Sequence, residues 1–218
     1  MTYEGSPMEE YKILKGRGGL PDRYVRGEVE LNIPPGTKVE TYPVLSGDSK
    51  VTEYFGVVLD TPLAIAPSSE MTVYANLASD TGVFLSGGGK YRRIDTISRW
   101  PKKFALYGNA SDGMVYRHFK AGYSSSPPKP ERDKVLAGLK IVNHEDEWIT
   151  MGRCLIDQRH YNLFYSGKDV VGELIEIQVM NDDLSIVRLR NRPSLGKGRA
   201  MPYMPAGIIN VLEMRFGL

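Results

Sequence analysis

Between Tyr24 and Ile33 the chain alternates strictly: Val25, Gly27, Val29, Leu31 and Ile33 interleave with Arg26, Glu28, Glu30 and Asn32. A period of two puts one set on each face of a β-strand, so the stretch predicts a single half-buried strand. Pro34-Pro35-Gly36 then forces a turn. Shorter runs of the same kind predict strands at 38–45, 51–59, 71–77, 82–85, 135–142, 148–156, 161–165, 170–180, 184–190 and 207–216. Ser46-Gly47-Asp48-Ser49 reads as the loop of a hairpin joining the first two of these.

One register can be written in advance. If Asn181-Asp182-Asp183 form a loop, Met180 meets Leu184, Ile177 meets Val187, and Ile175 meets Leu189. On the other face Glu176 then lies across from Arg188, an opposite-charge pair. A slip of one residue would expose the whole apolar set, so this register is strongly selected.

A helical period of useful length is missing. The best candidate is a short helix over 94–104, which Pro101 would end or kink. Residues 122–132 form a long loop in which Pro127, Pro128 and Pro130 exclude a central strand. Residues 1–22 read as an N-terminal arm, followed by one β-rich domain over 23–218. The strand count implies an all-β antiparallel sandwich or barrel, a jelly roll among the options, with at most one or two short helices. The 23 glycines and 14 prolines fit this picture, because they fall between apolar runs and supply turns.

Charge changes the picture locally rather than globally. The net charge is only +2, but basic residues gather at 90–120 and 188–199 and acidic ones at 145–147 and 169–183. A chain polarised in this way can associate with itself, basic face to acidic face, or with an anionic polymer. In the first basic segment Lys90, Arg92, Arg93, Arg99, Lys102 and Lys103 surround Tyr91 and Trp100, the mixture that phosphates and unstacked bases require. The same composition arises if Tyr91, Ile94, Ile97, Trp100, Phe104 and Tyr107 fill a core while the charges stand in water. In the second, Arg188 and Arg190 belong to a strand face, and Arg192, Lys197 and Arg199 to a Gly/Pro/Ser loop.

Catalytic chemistry is harder to place. GGGK at 87–90 lacks the earlier glycine and the following Ser/Thr of a phosphate loop, and GRGG at 16–19 lacks the strand and helix of a dinucleotide site. His144, Asp146, Asp157 and His160 are the one conceivable metal set, yet their spacing matches no zinc or calcium loop. Cys154 sits within an apolar alternation, where a buried inert thiol is the ordinary outcome. His118, between Arg117 and Lys120 in sequence, should resist protonation. No cofactor or metal is expected.

A single cysteine rules out an intrachain disulfide and suggests a reducing compartment. No apolar run suits a transmembrane helix, and the first residues lack the layout of a signal peptide. The expectation is therefore a non-enzymatic assembly protein, a virion component such as a capsid, matrix, tail or neck subunit, otherwise cytoplasmic, that contacts further copies of itself and other subunits. The alternatives are a nucleic-acid-binding module using both basic segments, and an enzyme or carbohydrate-binding barrel whose site draws on His144, Asp157 and His160.

Overall fold

A computed structural model of the protein describes residues 11–17, 20–45, 51–131, 133–166, 169–204 and 211–218. In chain order the strands are β1 (Lys12–Leu14), β2 (Asp22–Arg26), β3 (Val29–Ile33), β4 (Lys38–Val44), β5 (Tyr54–Ile65) and β6 (Glu70–Ala78). They continue with β7 (Asp80–Gly87), β8 (Lys90–Ile97), β9 (Phe104–Tyr107), β10 (Met114–Ala121), β11 (Tyr123–Ser124) and β12 (Lys134–Asn143). The last are β13 (Ile149–Asp157), β14 (Leu163–Ser166), β15 (Asp169–Val179), β16 (Ser185–Pro193), β17 (Arg199–Ala200) and β18 (Val211–Met214).

The described residues are all-β and contain no helix, and the antiparallel-rich sheets have the character of a β-sandwich. Nothing among them is long and apolar enough to cross a membrane as a helix. The short helix expected over 94–104 is instead strand to Ile97, irregular chain with a bend at Trp100, and strand again from Phe104. A bulge explains the misleading signal. Val83 pairs with Asp95 but Phe84 with Arg93, so Ile94 is an extra residue. An inserted residue shifts the phase of alternation by one, which mimics a spacing of three at Tyr91, Ile94 and Ile97.

The single strand expected over 24–33 is likewise two strands. Gly27, with φ +53°, and Glu28 turn the chain so that Arg26 pairs with Val29. Arg26 and Val29, paired across the turn, share a face, so the inward positions switch there from even (Tyr24) to odd (Ile33), and the apolar alternation that continues through Val25 and Gly27 hides the turn. The inward residues are Tyr24 and Ile33, while Val29 and Leu31 stay exposed.

The chain groups into two compact units, residues 1–42 with 81–99, and residues 43–80 with 100–218. Unit 1 holds two three-stranded sheets, β1-β2-β3 and β4-β7-β8, around Tyr24, Ile33, Val83 and Ile97. Residues 12–14, inside the stretch read as an arm, pair with β2. A bidentate ion pair joins Arg26 to Asp95 (2.6 and 2.7 Å), and the Tyr24 hydroxyl donates to the same carboxylate (2.6 Å). Gly88 and Gly89, both at positive φ, close the β7–β8 hairpin.

Unit 2 holds a four-stranded sheet, β13-β5-β10-β9, in which β10 runs parallel to β5. It also holds an eight-stranded sheet with the path β11-β6-β12-β15-β14-β17, to which β16 and β18 are added. The 46–49 hairpin loop lies outside the described residues, and the strands it was to join belong to different sheets: β4 neighbours β7, while β5 lies between β13 and β10.

The written register is the observed one: Ile177 pairs with Val187, Ile175 with Leu189 and Glu176 with Arg188. The Glu176 carboxylate, however, takes the Arg190 guanidinium, and Arg188 donates to Gln178 (2.8 Å). Strand β15 serves two partners along one edge, β14 over 169–172 and β16 from Glu173 onward. At the changeover the fully buried Glu173 carboxylate accepts the main-chain N–H of Asn162 (3.0 Å) and of Asn191. One side chain thus satisfies the donors where one neighbour ends and the next begins.

Candidate interaction surface

The basic-aromatic segment divides between the two units. In unit 1 it is β8, with Lys90, Arg92 and Arg93 exposed opposite Gly87, Leu85 and Phe84. Tyr91 packs edge-on to Tyr42, ring centroids 6.1 Å apart. Arg99 is exposed at the end of the unit. In unit 2 Trp100 is half-buried, its ring edge-on to Phe119 and under the Lys134 ammonium, 5.7 Å from the centroid. The Trp100 carbonyl accepts from Arg117, whose guanidinium forms a buried ion pair with Asp80. Tyr107 and Ile97 are buried, and Tyr91, Ile94 and Trp100 are partly so. The aromatic half of the segment is therefore mostly structural, and Phe104 is its one ring at the surface.

Lys102 and Lys103 precede β9 and are exposed. Here the tertiary fold assembles something the sequence does not show. Lys120 of β10 and Arg153 of β13 both pair with Val58 of β5, so the three form one row across the sheet. His118 pairs with Gly56 in the next row, and its N–H donates to the Lys103 carbonyl (2.8 Å), which brings Lys103 alongside. Residues two apart on a strand share a face. Lys103, His118, Lys120 and Arg153 consequently stand together on one face of the four-stranded sheet.

Local features make that face. Gly56 is the seat of the Tyr116 ring; a Cβ there would lie 2.1 Å from Tyr116 Cδ2. Beside Arg153, four residues of β5 (59–62) face one of β13, Gly152, and the irregularity sets where Arg153 emerges. Burial, followed by the charges of Lys103, Lys120 and Arg153, holds the His118 pKa below its ordinary 6.5. It is thus neutral at pH 7, while Lys103, Lys120 and Arg153 are exposed cations. The Asp60 carboxylate lies 3.9 Å from Lys120, with both side chains more than half exposed, and the Leu218 main-chain oxygen accepts the Gly152 N–H (3.5 Å) beside Arg153. The low pKa of His118 agrees with the sequence reading: burial is the main cause, and Lys120 contributes as expected, joined by Lys103 and Arg153, whereas Arg117 turns to the other face and Asp80.

The second basic segment is more dispersed. Arg188 and Arg190 are engaged with Gln178 and Glu176. Arg192, Lys197 and Arg199 are exposed, Arg199 on the two-residue edge strand β17, paired with Tyr165.

The acidic concentration at 145–147 forms a loop between β12 and β13. Glu145, Asp146 and Glu147 lead into Trp148, which is 68% exposed. Buried Asn143 organises the loop: its amide donates to the carbonyls of Ala66 (2.9 Å) and Glu147 (2.8 Å), and its Oδ1 accepts the Glu145 N–H (3.0 Å). Ser68, at φ +46°, closes a neighbouring turn and donates its N–H to the Glu145 carbonyl (2.8 Å). Ser68, Ser69, Glu70, Val142, Asn143 and His144 line a shallow hollow of about 240 Å³ beside the loop. A period-two reading counted Trp148 as the first residue of a buried strand, since alternation does not show which end of a strand leaves the core.

The residues of the conceivable metal set do not form one cluster. His144 precedes β13 and Asp157 ends it, on either side of a strand about 26 Å long, while His160 lies beside Asp157, its main-chain N–H donating to the Asp157 carbonyl (3.2 Å). Asp157 binds Arg159 instead (2.6 and 3.0 Å). No group of three or more metal-ligating side chains occurs among the described residues. Cys154 is fully buried, and burial pushes its thiol up to about 12.

Residues 13–210 match the family described as "Protein of unknown function (DUF432)", and the chain belongs to that family. No curated protein and no solved structure matches the chain significantly.

Proposed function

We propose that this family member is a non-catalytic assembly protein that acts by contact between copies of its own chain. The observation that supports this most directly is the face bearing Lys103, Lys120 and Arg153, three exposed cations drawn from two adjoining rows, with the Asp60 carboxylate 3.9 Å from Lys120. Such a face favours an acidic surface and steers it into register. The same unit also carries the rigid acidic loop with its exposed Trp148.

A protein partner suits the face better than nucleic acid does. Sequence-tolerant binding of single strands needs aromatic rings at the surface among the cations. In the basic-aromatic segment every ring but Phe104 is buried or partly buried, and Tyr107 and Tyr116 are fully so. The virion setting suggested by the sequence draws no support from the geometry or the comparisons; the proposal concerns how the molecule acts.

Light scattering of the purified chain across a concentration series tests it. We expect a defined oligomer in about 0.05 M salt that shifts toward the protomer near 1 M, where screening shortens to about 3 Å. A strict monomer under both conditions overturns the proposal. So does tight, steeply salt-dependent binding of a labelled single-stranded oligonucleotide by that monomer.

A further inference from the structure

Resting on that reading, we propose that the acidic loop at 145–148 of one copy seats on the cationic face formed by Lys103, Lys120 and Arg153 of a second copy. Three facts lead there. The charges match in number and sign: Glu145, Asp146 and Glu147 against Lys103, Lys120 and Arg153, with His118 neutral between them. The loop is already in one shape, braced by Asn143 to Ala66 and Glu147 and by Ser68 to Glu145, so little ordering entropy is lost on docking. And Trp148 presents a large apolar ring to solvent directly beside the three acids.

Acidic loops are common at protein surfaces; a braced one that ends in an exposed tryptophan is an interface anchor. Tryptophan and arginine are the residues most enriched among those that dominate binding energy. On the receiving side, Arg153 and Lys120 flank partly exposed Val58 in one row. An indole laid over Val58 would have a cation against its ring on each side, the arrangement that a ring quadrupole favours. The acids would then reach the outer cations while the ring fills the centre.

Loop and face are different patches of one chain, so the contact is head-to-tail. Such an interface leaves a free loop at one end and a free face at the other, and it grows until a ring closes or continues as an open chain. This gives the test a distinctive outcome. Trp148→Ala removes the anchor, and Lys120→Ala with Arg153→Ala removes the seat; all three side chains are exposed, and an unchanged far-UV spectrum and unfolding midpoint establish that each variant folds. Each variant alone should self-associate at least about tenfold more weakly than wild type. Mixed, they retain one good loop and one good face, and should form a 1:1 heterodimer and nothing larger.

If wild type assembles and both variants assemble equally well, the loop-on-face contact is overturned while self-assembly stands. Failure of the two weakened variants to form the 1:1 complex overturns the contact as well. A wild-type chain that is strictly monomeric overturns both this pairing and the broader reading.

Discussion

Gly56 shows how much one side chain, or its absence, decides. It sits in a buried strand between Phe55 and Val57, and its missing Cβ is the space that the Tyr116 ring occupies. Gly56→Ala should therefore cost about 1–3 kcal/mol through overpacking, read from the urea unfolding midpoint. Wild-type stability in that variant would mean that Tyr116 has another place to go. Glu173 is a second case. Burial pushes its carboxyl above the ordinary carboxylate value even though the Asn191 and Asn162 N–H groups donate to it. Glu173→Ala strands both donors inside the sheet, and at roughly 1–3 kcal/mol for an unsatisfied buried group the loss should be plain in the same assay. Cys154 makes the complementary point about reactivity. With its thiol buried and its pKa raised, it should react with an aromatic disulfide reagent only as fast as the protein opens; stoichiometric labelling within seconds in native buffer would contradict the packing.

At the scale of elements, the ion pair of Arg26 with Asp95 ties β2 to β8 within unit 1. Burial pushes the Asp95 carboxyl up, but the Arg26 guanidinium, the Tyr24 hydroxyl and the Thr96 N–H more than reverse this and leave it below 3.8. A carboxylate whose folded-state pKa is depressed stabilises the fold above its unfolded pKa and loses that contribution as the pH falls through the folded value. Asp95→Asn should cost about 1.5–3 kcal/mol at pH 7, since it removes the charge on the acceptor that the partly buried Arg26 guanidinium holds at 2.6 and 2.7 Å. The gap from wild type should close in acid, below pH 3.8; a gap independent of pH would show that the pair is not what the substitution removes. Elements also show where a sequence can be read. The β15–β16 register was legible because Ile175, Ile177, Val187 and Leu189 must share a buried face, and a slip of one residue moves them to the wrong one. The break at Gly27-Glu28 and the bulge at Ile94 were not, because the apolar alternation continues across the first although the inward face changes parity there, and the second imitates another period.

Across the whole molecule, the prediction is an assembly that responds to salt. Charge pairs at the rim of a contact set encounter rate and orientation, whereas a dehydrated aromatic centre sets lifetime. Salt should therefore slow association of the wild-type chain more than it speeds dissociation, and Trp148→Ala should do the reverse; stopped-flow light scattering separates the two. Equal effects of salt on both rates would leave no distinct role for the cationic face. The cationic face itself could not be read from the chain. Lys103 and Lys120 fall within one basic segment, but Arg153 lies more than 30 residues further on and joins them only because β5 pairs with both β10 and β13. Of the contact residues first singled out, Lys103 alone belongs to the face, where it meets His118. Trp100 turned to the buried Arg117–Asp80 pair, and Arg188 and Arg190 to Gln178 and Glu176.

The order of polar and apolar residues determined by itself that this chain would be built of strands, and in β15–β16 it determined which residues face each other. Both are consequences of short-range geometry: side chains alternate on a strand, and burial penalises every misplaced one. Which strands become neighbours was decided by the tertiary structure, because the parallel pairing of β5 with β10 joins segments far apart in the chain and leaves no local mark. The cationic face and the exposed position of Trp148 belong to that second kind of information.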